Sequence, residues 1–293
     1  MKVEFANSFL RDVRKIIIQD TKTRMQAAII EVEEAISIQE ISSGQATTNY
    51  RYDAIGNLIE DVQEGITTTW NVYGKVATVL NVNSTATYTD VITFTYDAMG
   101  NRVKKSVQTE SGTTTTWYVR DASGNILANY ELVNDNQQQL TEIPLYGSDR
   151  LGIYRANITR DLSAVTGNTY TRELNKREYE LKDHLGNVRA VVADRKLPAS
   201  TASPSDFTAV LEMYANYYPF GMVMEDRQYT SGSYRYGYNT QEKVDEIAGA
   251  GNHYTALFWE YNPRVDHRWN LDPKPNPSIS PYAIMQGNQS DLV

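Results

Sequence analysis

The chain has no cysteine in its 293 residues, which excludes a disulfide, a thiol nucleophile and any Cys-ligated metal site. Stability must come from packing and hydrogen bonds. Nor is there a run of 18 apolar residues, so no membrane-spanning helix is expected. The opening MKVEFANSFLRDVRK sets charges where a secretory leader carries its apolar stretch, and as written the chain reads as cytoplasmic. Basic residues are in deficit. The 28 Lys and Arg against 36 Asp and Glu give a net charge of −8, and without a basic cluster this argues against nucleic acid or an anionic membrane as partner. His184, His253 and His267 share no metal-ligand spacing. The sequence also lacks a G-x-S-x-G elbow, a G-x-x-x-x-G-K loop and a strand-linked G-x-G-x-x-G, so nucleophilic hydrolysis and nucleotide binding have no support. No metal or cofactor is expected.

What is abundant is tyrosine, 21 residues against 6 phenylalanines. Tyrosine suits strands, because its ring packs on a pleated surface while its hydroxyl reaches water or a backbone partner. An aromatic-rich polar surface could also stack on sugars, though strand packing accounts for the tyrosines more simply. The six residues YDAIGN (Tyr52 to Asn57) return as YDAMGN (Tyr96 to Asn101). In this D-x-x-G-N pattern the Asp carboxylate can accept backbone N–H groups, and Gly can take the positive φ that closes a three-residue hairpin loop.

The pattern occupies Asp53/Gly56/Asn57, Asp97/Gly100/Asn101, Asp121/Gly124/Asn125 and Asp183/Gly186/Asn187, with a weaker copy at Asn71/Gly74. Separations between the four aspartates are 97 − 53 = 44, 121 − 97 = 24 and 183 − 121 = 62, close to two, one and three units of about 20 residues, as stacked repeats would give. Calcium loops need several oxygen ligands at alternating positions. Each turn here offers one carboxylate.

The segments YDAIGNL, YDAMGNR, LKDHLGNVRAVV, PLYGSDRLGIY, YANYYPFGMVME, YRYGYNTQEKVDEIAGAGNHY and YNPRVDHRWNLDPKPNPSISPYAIMQGN together resemble the YD-repeat, or Rhs (rearrangement hotspot), repeat-associated core, in the version common in Bacteroidetes. The resemblance covers about residues 48–288. It implies a rolled strip of stacked β-hairpins that encloses a C-terminal toxin in a secreted toxin system, with the core segment closing one end. Partners are then a toxin cargo or other repeat segments, and open strand edges make self-association possible. In many such cores the closing segment is an aspartyl autoprotease, which needs two carboxylates of different protonation and an arginine. Asp272 matches the first aspartate. The second falls in an element of which this chain carries Gln289 where the family has proline, and Asp291 is wrongly spaced; Trp259 stands where the arginine belongs. Asp272 therefore reads as a turn former and the chain as a non-enzyme.

Residues 1–45 read differently. KVEF suits a short strand, Asn7 or Ser8 can cap a helix bearing Phe9, Val13 and Ile16 or Ile17, and Met25, Ala28, Ile29, Val32 and Ile36 mark a second amphipathic helix. This stretch is similar to the start of RelE/ParE-type toxins, but the sheet that carries their catalytic residues is not recognisable. The expectation is a mainly β chain in three parts: a small β-α-α cap over 1–45, a hairpin strip over 46–176 and a core-like segment over 177–293, truncated at its end.

Overall fold

The computed structural model describes residues 49–82, 89–134, 137–159, 173–200, 203–232, 234–264, 267–274, 278 and 280–283. The chain divides into two compact units, Met1–Thr47 and Thr48–Val293, and the cap expected over 1–45 lies outside the described residues.

The strands are β1 (Tyr50–Tyr52), β2 (Leu58–Asp61), β3 (Ile66–Trp70), β4 (Val76–Val82), β5 (Thr89–Tyr96), β6 (Arg102–Thr109) and β7 (Gly112–Arg120). They continue as β8 (Ile126–Val133), β9 (Gln139–Tyr146), β10 (Arg150–Thr159), β11 (Arg177–Lys182), β12 (Val188–Ser200), β13 (Ser203–Tyr217) and β14 (Val223–Thr230). All fourteen form one antiparallel sheet in chain order. Period-two patterning makes them strands: in β3, Ile66 and Thr68 are buried while Thr67 and Thr69 are exposed, and in β5 Ile92 and Phe94 are buried while Thr93 and Thr95 are exposed. The sheet runs on from β10 through β11 to the end of β14 at Thr230.

In a meander, every second connection lies on the same edge of the sheet. The β1–β2, β5–β6, β7–β8 and β11–β12 connections are the four D-x-x-G-N loops, and β3–β4 is the Asn71 copy. One edge therefore carries all of them, and the repeating unit is a two-stranded hairpin. Among the described residues, the stretch between Asp121 and Asp183 holds two such hairpins, not three, with the β9–β10 turn between the two D-x-x-G-N loops on that edge. The extra length lies in the β10–β11 connection.

After β14 comes a closing segment, residues 234–283. It contains a 3-10 turn (Tyr238–Thr240), β15 (Glu242–Lys243), the single helical turn α1 (Asp245–Ala248), β16 (Tyr254–Ala256), β17 (Trp259–Asn262) and β18 (His267–Arg268). β15 to β18 make a separate four-stranded sheet. The segment supplies five of the eleven buried residues of one hydrophobic core and three of the ten of the other. Tyr254 and Tyr261 pack with Val188, Val191 and Met213 of β12 and β13. Val244, Ile247 and Trp269 pack with Ile66, Val79 and Ile92 of β3 to β5. Each such burial is worth roughly 1.5–3 kcal/mol, so strip and segment stabilise one another.

The same segment touches both ends of the strip. Tyr282 donates to the Gly56 carbonyl (2.8 Å) in the first hairpin turn, and Tyr254 donates to the Gly221 carbonyl (3.3 Å) in the last. Laid flat at ~4.8 Å per strand, β1 and β14 would stand roughly 60 Å apart. The sheet must be rolled for one short segment to reach both.

Candidate functional site

The candidate site is the seam where the closing segment sits on the turn edge and inner face of the strip. Its first component is the row of turns. In each D-x-x-G-N loop the Asp N–H donates to the Asn carbonyl and the Gly N–H to the Asp carbonyl, the latter at 3.1 Å in all four. The first Asp oxygen accepts the N–H groups two and four residues on, and the second accepts the Asn side chain. Gly56, Gly100, Gly124 and Gly186 hold φ between +82° and +89°. Hydrogen bonds from the Asn101 and Asn125 side chains hold Asp97 and Asp121 below the usual carboxylate range. These carboxylates serve their own loops.

Asn71 repeats the pattern, with Lys75 in the last position. A further copy has no acid at all: in Tyr218–Met222 the Tyr218 N–H donates to the Met222 carbonyl (2.8 Å) and the Gly221 N–H to the Tyr218 carbonyl (2.9 Å). The signal was a glycine three residues into YPFGM. This turn is the most heavily engaged. Its successive carbonyls at Pro219, Phe220 and Gly221 accept the hydroxyls of Tyr238 (3.2 Å), Tyr261 (2.6 Å) and Tyr254 (3.3 Å). Elsewhere along the edge Lys75 Nζ donates to the Leu257 carbonyl, and Asn187 Oδ1 accepts the Asn239 N–H at 2.9 Å.

The second component is a set of buried ion pairs on the inner face. Arg235 sends Nε to Glu142 of β9 (2.7 Å), Nη1 to Glu242 of β15 (3.3 Å) and Nη2 to Glu131 of β8 (3.1 Å). Glu142 also accepts Arg155 of β10 (2.6 Å) and Asn129 (2.9 Å), and Glu242 accepts the Tyr118 hydroxyl (2.7 Å). Arg102 of β6, stacked 4.0 Å above the Phe94 ring, pairs with Glu260 of β17 at 3.0 Å. Glu260 is shared with Thr255 and with His253, 2.8 Å away and fully buried. Sequence reasoning missed these residues, because their partners lie up to 158 positions apart.

Burial alone would raise the Glu142 and Glu242 carboxyls, but Arg235 foremost, with Arg155 at Glu142 and Arg102 at Glu242, holds both below the usual range. A depressed carboxylate contributes stability that is complete above its unfolded value of 4.5 and is lost as pH falls through the lower folded value. From pH 7 to about pH 5 only the half-buried His267 should lower urea midpoints, and below about pH 5 the decline should steepen as these carboxylates protonate. A midpoint unchanged at pH 3 would contradict this assignment.

Between the turns 97–101 and 121–125 and the segment lies a cavity of about 350 Å³, lined by residues including Tyr96, Arg102, Arg120, Tyr236 and Gln241. Among the described residues no group of three or more His, Asp or Glu side chains is placed to hold a metal ion. His184 is exposed in its turn, and His267 stacks on Tyr282 at 5.1 Å, where burial lowers its pKa. Asp272 accepts the Lys274 N–H (2.8 Å) and pairs with Arg268 (2.8 Å), and the Lys274 bond foremost lowers its pKa. An arginine thus reaches Asp272 although Trp259 fills the position expected for it; Arg268 lies 4.5 Å over the Trp259 ring. Gln289 and Asp291 lie outside the described residues.

Solved structures share the fold of this chain. The structure of TcdB2-TccC3-Cdc42 matches with a TM-score of 0.57 at 13% identity, over 81% of this chain and 10% of that one. The Photorhabdus luminescens Tc holotoxin pore with a TccC3 mutation gives 0.56 at 14%, over 81% and 10%. TcdB2-TccC3 gives 0.55 at 13%, over 82% and 11%. The chain has a YD/Rhs-like fold. It spans about a tenth of the length of these Tc toxin chains, and the identity shows the fold alone. No family model and no curated protein matches it. No helix among the described residues is long and apolar enough to cross a membrane.

Proposed function

We propose that the chain is a non-enzymatic wall section of a toxin-system shell, which helps to enclose or scaffold a toxin polypeptide. The carrying observation is that one closing segment holds the first and last hairpin turns of the strip together, at Gly56 and Gly221. A rolled sheet sealed along its turn edge has an inner face that water and proteases reach poorly. Its mechanism is confinement. The Tc toxin chains of like fold support this reading, and the turn bonds of Asp272 support a structural role for that residue.

The test fuses an unfolded, trypsin-sensitive peptide after Val293 and compares its digestion with that of the free peptide. Confinement predicts at least tenfold slower cleavage and one full-length band over days without protease. Digestion at the free-peptide rate removes the enclosing role. A smaller band that accumulates with time and is abolished by Asp272→Asn makes the chain an autoprotease instead.

A further inference from the structure

We propose that the turn edge of the first three hairpins is a docking site for an amphipathic helix of another protein, whose apolar stripe lies on the tips Ile55, Tyr73 and Met99 and whose basic residues lie over the carboxylates beside them. This surface is separate from the enclosing inner face.

The three tips share one place in the loop, the residue before the positive-φ glycine. Ile55 is 71% exposed, Tyr73 83% and Met99 79%, and Val72 beside Tyr73 is more open still. In the later turns 183–187 and 218–222 the same place holds Leu185 and Phe220, and both are half-buried. There the closing segment sits on the turns, the Asn239 N–H on Asn187 and the Tyr261 hydroxyl on the Phe220 carbonyl. The seam thus covers the last apolar tips and leaves the first three bare, with Ser123 between the two groups. The bare tips are continuous with that seam. A Cβ at Gly100 would lie 3.3 Å from Lys75 Cε, so turns 71–75 and 97–101 touch, and Lys75 Nζ lies 4.9 Å from the centre of the Phe258 ring, itself 61% exposed. Single exposed apolar residues are ordinary, but a contiguous row marks an interaction surface.

Spacing and charge select the occupant. Neighbouring tips stand two strands apart, roughly 9.6 Å, and a helix advances roughly 10.5 Å in seven residues, so one helix laid across the hairpins meets each tip with the same face. The Asn101 side chain holds Asp97 below the usual carboxylate range; at Asp53 burial acts to raise the carboxyl, but the Asn57 bonds hold it below that range too. Both are charged at neutral pH. Among the described residues neither forms a salt bridge, because the nearby cations are engaged. Lys75 donates to the Leu257 carbonyl, Arg51 pairs with Glu60 at 2.8 Å, and Arg120 donates to the Arg102 and Gly124 carbonyls at 2.9 and 2.7 Å. Apolar tips flanked by unpaired negative charge are complemented by an apolar stripe flanked by lysine or arginine. A second copy brings the same acids and the same engaged cations, and two chains of net charge −8 repel.

The probes are two labelled peptides of three heptads with leucine at positions a and d, one with lysine and one with glutamate at e and g, where like charge keeps each from pairing with itself. By fluorescence anisotropy the lysine peptide should bind at least tenfold more tightly. Tyr73→Ser combined with Met99→Ser should weaken it at least tenfold without moving the thermal midpoint, because both side chains are exposed. Leu174→Ser, at an exposed apolar residue of the β10–β11 connection, should bind as wild type. Equal affinity of the two peptides, no binding of either, or binding unaffected by the double variant overturns the proposal. So does a concentration-dependent dimer that the double variant abolishes, which would make the occupant a second copy, or binding to phosphatidylcholine vesicles that it abolishes, which would make it a lipid surface. The fused-tail digestion reports enclosure separately, so either idea can fail while the other stands.

Discussion

Arg235→Met should lower stability by about 3–5 kcal/mol, the usual result of stripping the partner from a buried carboxylate. Two are affected: Glu142 keeps Arg155 and Asn129, and Glu242 keeps the Tyr118 hydroxyl, but neither keeps its main counter-charge. For a domain of this size the thermal midpoint should fall by on the order of 10 °C. Arg235→Lys should lie between wild type and Met, because a single ammonium cannot fork to β8, β9 and β15 as the guanidinium does. Adding Glu142→Gln and Glu242→Gln to Arg235→Met should recover part of the loss, since buried amides carry no unpaired charge. The comparison is Arg51→Met, which breaks the Arg51–Glu60 pair whose arginine side chain is 64% exposed and should cost less than about 1 kcal/mol. Equal midpoints for Arg235→Met and Arg51→Met would mean that the buried cluster does not hold the seam.

The contrast between these two arginines also marks what the sequence could reveal. D-x-x-G-N is legible because all its hydrogen bonds close within five residues; composition and spacing alone point to Asp97, Gly100 and Asn101 doing one job together. Arg235 stands in an unremarkable YRY, and its partner Glu142 is 93 positions away, beyond any local grammar. Tyrosine richness pointed correctly to strands, yet Tyr238, Tyr254 and Tyr261 serve a second purpose as donors to a turn. That purpose depends on the roll of the sheet. The hairpin count failed for a related reason: spacing assumes equal units, and the β10–β11 connection is long. His253 and His184 looked alike in sequence, but one is fully buried against Glu260 and the other is exposed in a loop.

Gly221→Ala should be among the most damaging single-methyl additions, and Gly74→Ala separates its causes. Both glycines hold positive φ, +91° and +69°, so each alanine meets left-handed strain of about 1–2 kcal/mol. At Gly74 a Cβ finds nothing within 4 Å, whereas at Gly221 it lies 2.4 Å from the Tyr238 ring. That ring cannot step aside freely, since it packs 5.9 Å from Tyr217 and 6.1 Å from Tyr254 and its hydroxyl holds the Pro219 carbonyl. Overpacking a filled core adds about 1–3 kcal/mol, for a total of about 2–5 kcal/mol at Gly221. Gly74→Ala should leave the near-ultraviolet tyrosine circular dichroism intact. Gly221→Ala should reduce it, because three tyrosines lose their shared seat. If the two variants melt together with the same tyrosine signal, the turn is an ordinary hairpin loop and the closing segment is anchored elsewhere.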